Sequence, residues 1–168
     1  EGILPVPQFL LPMGISFYTF QTMGYAIDVY REKYPAEKNF ARLTLFVSFF
    51  PQLIQGPISR YDELSEGLYA GNGFQPRRVL FGTQRILWGY AKKLVLADRI
   101  LPAVTLLISD TEQYQGMYVL LGILYYMLEL YADFTGGIDI TIGIGQVLGI
   151  KIAENFERPF FSKNITEY

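Results

Sequence analysis

The chain has 168 residues, of which 51% are hydrophobic, 16% aromatic and only 18% charged, and its formal net charge is −2. Soluble domains carry roughly 25% charged residues, so this composition disfavours a disordered chain and a nucleic-acid-binding surface. Because the chain has no cysteine and no histidine, it excludes disulfides, thiol chemistry and imidazole catalysis within these residues, and it predicts no metal site.

The first apolar run covers residues 2–27 and contains no charged side chain. A membrane crossing needs ~20 largely apolar residues, so the run predicts a transmembrane helix. Its prolines place the start of that helix near Phe9 or at Pro12. A buried helix of a soluble protein is the alternative interpretation.

A second uncharged run covers residues 43–59 and is interrupted by Pro51, Gly56 and Pro57. Linkers with basic side chains flank it on both sides. Basic flanks are typical of the cytoplasmic face, so the run is interpreted as re-entrant, entering the membrane and returning.

Residues 78–99 are predicted to form an amphipathic helix with two rows that each repeat every seven residues. On an α-helix the two rows lie ~140° apart. The basic row either meets lipid headgroups at the cytoplasmic surface or forms the rim of a site for an anionic ligand. The apolar row is Leu80, Leu87, Leu94 and Leu101, and the basic row is Arg78, Arg85, Lys92 and Arg99.

A third uncharged run, residues 113–128, leads into an acidic stretch and a glycine-rich apolar segment, residues 136–150. Glu129 and Asp133 share a helical face, and Asp139 follows. Carboxylates in a membrane helix should face protein or water, so Glu129 and Asp133 either act chemically or pair with tyrosines or with the basic row. The four-residue spacing of Gly145 and Gly149 predicts a close helix–helix approach. Together these runs predict an all-α, polytopic membrane helical bundle.

Five segments, in this order, resemble the membrane-bound O-acyltransferases, and most of all the bacterial branch that includes the membrane proteins of alginate O-acetylation and teichoic-acid D-alanylation. The segments are LPMGISFYTFQTMGYAIDVYR (11–31), FVSFFPQLIQGPISRYDEL (46–64), WGYAKKLVLADRI (88–100), YADFTGGIDITIGIGQVLG (131–149) and ENFERPFFSKNITEY (154–168).

The resemblance implies that residues 1–168 are part of a membrane domain with a tunnel fold, without its first helices and its catalytic half. It implies a multi-pass protein of the cell membrane, in contact with lipid.

The resemblance also implies the substrates. An acyl donor (acyl-CoA or an acyl carrier) would enter from the cytoplasm as co-substrate, with no tightly bound cofactor. The acceptor would be a polysaccharide or teichoic-acid hydroxyl, with an acyl-transfer partner protein outside the cytoplasm. Acetyl transfer is the expected activity. D-alanyl transfer, or a transporter or membrane scaffold without catalysis, is the alternative.

The resemblance also implies where the site lies. The catalytic histidine of the family directly follows a motif that here reads Ser162, Ile165, Glu167 and Tyr168, so it is expected beyond residue 168 and the isolated chain is expected to be inactive. The residues expected near that histidine or in the tunnel wall are Asn155, Arg158, Pro159, Glu129, Asp133 and Asp139. The residues expected at the donor rim or the headgroups are Arg78, Arg85, Lys92 and Arg99.

Overall fold

A computed structural model describes residues 14–110, 112–155, 160 and 162–164. Over these residues the chain forms helices and loops without a β-strand, which confirms the predicted all-α class. The helices are α1 (Ile15–Tyr30), α2 (Phe40–Val47), α3 (Gln52–Gln55), α4 (Tyr61–Tyr69), α5 (Pro76–Ala91), a π-helical segment (Lys92–Ala97), α6 (Asp98–Ser109) and α7 (Met117–Leu148).

The predicted helices differ from the observed ones mainly in length. The helix predicted at 78–99 continues through the π-helical segment into α6, so helical structure runs unbroken from residue 76 to 109. The run at 113–128 and the glycine-rich segment at 136–150 belong to one helix, the 32-residue α7. Carboxylates and glycines obscured its continuity because they interrupt the apolar run without interrupting the helix.

The first two apolar runs form shorter helices than α7. The helix predicted within residues 2–27 is present as α1, although residues 1–13 lie outside the described part of the chain. The run at 43–59 is broken as expected: α2 ends at Val47, α3 is a single turn, and residues 56–60 are extended. Whether that run re-enters the membrane stays a prediction.

The core of the fold is an antiparallel helical hairpin, in which α5, the π-helical segment and α6 pack along α7. Its closest contacts are between glycines. A Cβ atom added to Gly89 would lie 2.5 Å from the carbonyl oxygen of Gly136, and one added to Gly82 would lie 2.8 Å from that of Gly143. The helices can approach this closely only because these positions have no side chain.

The glycines predicted to mediate helix packing, Gly145 and Gly149, have different partners. Gly145 packs against Ile152 of the segment that follows α7, not against another helix. Gly149 ends α7 with a left-handed φ of 81°, the conformation that favours glycine after a helix. The predicted close approach of two helices is therefore absent at Gly145, and Gly149 meets another helix only through the Arg78 side chain of α5, because the four-residue spacing fell at a helix end.

Helices α1 to α4 pack beside the C-terminal half of α7. An apolar cluster joins α2 and α4 to α7 and to the segment after it: Phe46, Phe49, Leu64, Ile138, Ile142, Ile150 and Ile152. The amide of Gln21, which is buried on α1, donates to the carbonyl oxygen of Phe46 at 3.1 Å. This polar contact ties α1 to the same cluster.

The loop between α1 and α2 is fixed by Glu37. Its carboxylate accepts hydrogen bonds from the backbone N–H of Asn39 at 2.8 Å and from the Tyr61 hydroxyl at 2.9 Å. These two donors hold the pKa of Glu37 below its ordinary value. Burial beside this loop raises the pKa of Tyr34 to about 12.

The outer surface of the hairpin is apolar. The leucine row faces outward, with 57% of Leu80 and 63% of Leu87 exposed, and Leu94 and Leu101 are exposed as well. Of the helices in the described ranges, only α7 is long and apolar enough to cross a membrane. At 1.5 Å per residue it is ~48 Å long, which exceeds the ~30 Å hydrocarbon core of a bilayer.

The glycine contacts lead to a stability prediction. We expect Gly89→Ala to lower the free energy of unfolding by about 1–3 kcal/mol, because the added methyl group meets the backbone of α7 and cannot be accommodated by a rotamer change. Thermal unfolding of the purified protein in detergent measures the effect. Gly24→Ala on α1 is the matched control, since a Cβ atom there meets no atom within 4 Å. An equal loss in both variants would contradict the prediction.

Candidate functional site

The helices of the hairpin are joined by ion pairs as well as by glycines. The carboxylate of Asp139 on α7 accepts from Arg85 Nε at 2.9 Å and from Lys92 Nζ at 2.6 Å. Arg85 and Lys92 are seven residues apart, so both lie on the side of the helix that faces α7. The side chains of Asp139 and Lys92 are only 14% and 17% exposed, so this pairing occurs inside the protein.

A second ion pair lies one step along the hairpin, where Lys93 pairs with Asp133. The amide of Gln55 on α3 also lies within hydrogen-bond distance of Asp133, at 3.4 Å. Lys92 and Lys93 are the first two residues of the π-helical segment. Two consecutive lysines thus reach two carboxylates on the same neighbouring helix.

The segment after α7 joins this network through Glu154. Both terminal nitrogens of the Arg85 guanidinium lie 2.5 Å from the two carboxylate oxygens of Glu154, in a bidentate pair. Arg85 therefore contacts two carboxylates at once, one on α7 and one in the following segment. Arg85, Lys92, Asp139 and Glu154 together carry no net charge.

Two concave spaces open beside the network. A polar pocket of about 140 Å³ is lined on one side by Asn155 and Tyr131 and on the other by the Arg85, Lys92, Asp139 and Glu154 cluster. A larger cleft of about 400 Å³ lies at the end of α7, with Arg78 and Lys151 in its wall. Arg85 and Glu154 line both spaces and so form the partition between them.

The predicted site residues fall into three groups. Asp133 and Asp139 meet the basic side chains of the facing helix, and Asn155 lines the polar pocket beside them. Glu129 is half-buried on α7 and makes no ion pair within the part of the chain that the structure describes. Arg158 and Pro159 lie outside the described residues.

The members of the basic row, which were predicted to meet headgroups or a donor, have different surroundings in the structure. Arg85 and Lys92 turn towards α7, where carboxylates of this chain occupy them. The guanidinium of Arg78 packs against Gly149 and donates to the carbonyl oxygen of Gly73 at 2.6 Å. Arg99 is exposed and has no ion pair among the described residues. The expected roles of Arg78 and Arg99 at a donor rim or at headgroups stay predictions.

Sequence reasoning missed three members of the network: Lys93, Glu154 and Gln55. Lys93 directly follows Lys92 of the basic row, but the seven-residue repeat does not include it, so the pattern gave no sign of its pairing with Asp133. Glu154 was quoted within a family-like segment, but no spacing pattern joins it to Arg85, which is 69 residues away. Contacts of this sequence separation depend on how the helices pack, which helical periodicity does not specify.

The geometry indicates what these side chains can do. Asp133 and Asp139 are engaged by cations, so they are placed to hold charge and shape a pocket. Over the ranges 14–110, 112–155, 160 and 162–164, no group of three or more acidic side chains lies close enough to hold a metal ion. The network therefore organises a polar pocket within an apolar exterior.

No family model matches the chain. Its relatives include the probable alginate O-acetylase AlgI of Azotobacter vinelandii, which is 37% identical over 99% of this chain and 34% of its own length. The peptidoglycan O-acetyltransferase of Helicobacter pylori is 29% identical over 95% of the chain and 35% of its own length. The teichoic acid D-alanyltransferase of Bacillus subtilis is 29% identical over 93% of the chain and 40% of its own length.

The chain matches these relatives over nearly its whole length, which confirms the predicted resemblance to the membrane-bound O-acyltransferase family. Among the named members it is similar to the alginate O-acetylases, at 36–37% identity. It spans about a third of the length of the curated relatives it matches.

The ion network leads to a second stability prediction. We expect Asp139→Asn to lower the free energy of unfolding by roughly 3 kcal/mol, because it leaves Arg85 and Lys92 facing each other without the anion between them. Asp98→Asn is the matched control, since Asp98 is exposed and has no ion pair within the described ranges. Chemical denaturation of both variants in the same detergent compares them, and similar midpoints would show that Asp139 is not a required counter-ion.

Proposed function

We propose that this chain is part of a membrane O-acyltransferase that transfers an acetyl group to hydroxyls of a cell-envelope polysaccharide. The observation that carries the proposal is the 37% identity to an alginate O-acetylase over 99% of the chain. The structure adds support of another kind, since a polar, charge-balanced pocket lies inside an apolar surface.

The distribution of polarity supports the proposed membrane location. Large apolar side chains cover the outside of the hairpin, whereas Asp139, Lys92 and Arg85 lie inside it. A soluble protein places these groups the other way round. We propose a multi-pass arrangement in which α7 and the run from α5 to α6 both cross the bilayer, with the paired charges facing protein.

In the proposed reaction, the acceptor hydroxyl oxygen attacks the carbonyl carbon of an acyl thioester. A base removes the hydroxyl proton, the carbon–sulfur bond breaks, and the departing thiolate takes up a proton. This chain contains no histidine, so we assign the imidazole base to a part of the full-length protein outside these 168 residues. The described residues supply the wall of the polar pocket and the contacts that hold it.

D-alanyl transfer is the second candidate. The observation in its favour is the 29% identity to a teichoic acid D-alanyltransferase over 93% of the chain. Both reactions form an ester on an acceptor hydroxyl, so the pocket described here does not distinguish between them. The chemical nature of the transferred group distinguishes the two reactions.

The activity is tested with the full-length protein in membrane vesicles. Acetyl-CoA or an acetylated carrier with a radiolabelled acetyl group is supplied with alginate, peptidoglycan or teichoic acid as acceptor. We expect label to appear on a polysaccharide in an alkali-labile ester. Transfer of D-alanine but not acetyl would establish the second candidate. Transfer of neither would contradict the proposed function and favour a transporter or scaffold.

The membrane location is tested by cysteine accessibility, because the chain contains no natural cysteine. Single cysteines at Val119, Ile123 and Tyr126, which are exposed on α7, should be protected from a water-soluble maleimide in intact membranes. A cysteine at Asp110, in the loop before α7, should react rapidly and serves as the control. Equally fast labelling at all four positions would contradict a membrane-spanning α7.

A further inference from the structure

The segment that follows α7 is held to the hairpin at several points. Ile150 and Ile152 are only 8% and 4% exposed and anchor its first part in the apolar cluster. Two residues beyond the last apolar anchor, Glu154 forms the bidentate pair with Arg85. Asn155, at the edge of the polar pocket, follows directly.

Arg85 is suited to bridge the segment and the hairpin. Its Nε donates to Asp139 while its two terminal nitrogens contact Glu154, so a single planar guanidinium fixes both carboxylates. A lysine has one ammonium group and no planar fork, so it cannot reproduce this geometry. Lys92 supplies the remaining positive charge that Asp139 and Glu154 together require.

We propose that Arg85 is a positioning residue, whose guanidinium clamps Glu154 to Asp139 and thereby holds residues 150–155 at the edge of the polar pocket. The clamp acts on the placement of Asn155, without itself contacting a substrate. This inference rests on the proposed acyltransferase function where it concerns catalysis. The clamp itself can be tested without any activity.

Glu154→Gln is the first variant, because the Glu154 side chain is 51% exposed and the change leaves the pairs between Arg85, Asp139 and Lys92 intact. Full-length protein in detergent is digested with a lysine-specific protease, and cleavage after Lys151 is followed by mass spectrometry. Cleavage there requires the buried Ile152 to leave its site. We expect Glu154→Gln to speed cleavage about fivefold, which corresponds to roughly 1 kcal/mol of lost clamp stability.

Matched variants separate the clamp from a general loss of charge. Glu66→Gln and Arg77→Gln change exposed charged side chains that have no ion pair in the described part of the chain, and they should leave the cleavage rate unchanged.

Arg85→Gln should speed cleavage at least as much as Glu154→Gln does. The double variant should be no faster than Arg85→Gln, because both changes break the same contact. Arg85→Lys should restore part of the protection. Cleavage of Glu154→Gln at the wild-type rate would overturn the clamp.

The kinetics of acyl transfer test the positioning role. Glu154→Gln and Arg85→Gln should lower kcat about tenfold or more with little change in donor KM, since small displacements of reacting groups are costly. Faster cleavage with unchanged kcat would overturn positioning. A raised donor KM with unchanged kcat would overturn it in favour of direct donor contact. If the wild-type protein transfers no acyl group, the proposed function fails, and the cleavage rates still decide whether the clamp exists.

Discussion

The pairing of carboxylates on α7 with cations on the facing helix is the interaction on which the rest of the structure depends. An unpaired carboxylate or ammonium group in an apolar environment costs several kcal/mol, so these side chains have to meet each other. Once Asp139 meets Arg85 and Lys92, and Asp133 meets Lys93, the rotation of both helices about their axes is determined. The outward direction of the leucine row follows from that rotation.

The glycine contacts and the ion pairs require one another. Gly82 and Gly89 bring the two backbones close enough for short cation–carboxylate distances, and a wider helix spacing would separate the charges. The ion pairs in turn fix which faces the helices present, which glycines alone would not do. A close, flat contact between backbones tolerates sliding, whereas five charged side chains at set positions do not.

The sequence predicted local features better than contacts between helices. The seven-residue rows correctly indicated a helix at 78–99, because periodicity is a property of a single element. They did not reveal that Arg85 and Lys92 of the basic row face α7, since a basic stripe is equally typical of a helix at the membrane surface. Pairing with that row was one of the open interpretations for Glu129 and Asp133. Asp133 instead pairs with Lys93, beside the row, and Asp139 is the carboxylate that meets Arg85 and Lys92 of the row. The contact between Arg85 and Glu154 could not be foreseen, because it requires the chain to reverse direction at Gly149.

The π-helical segment has a consequence for how this region can vary. Lys92 and Lys93, which pair with Asp139 and Asp133, begin a segment in which the helix is locally widened. A π-helical turn holds about one residue more than an α-helical turn, so removing one residue within Lys92–Ala97 can restore a regular α-helix while α5 and α6 keep their faces. Adding one residue has no such outlet and would rotate α6, with Leu101, by about 100° relative to α5. The segment should therefore tolerate the loss of a residue more readily than the gain of one.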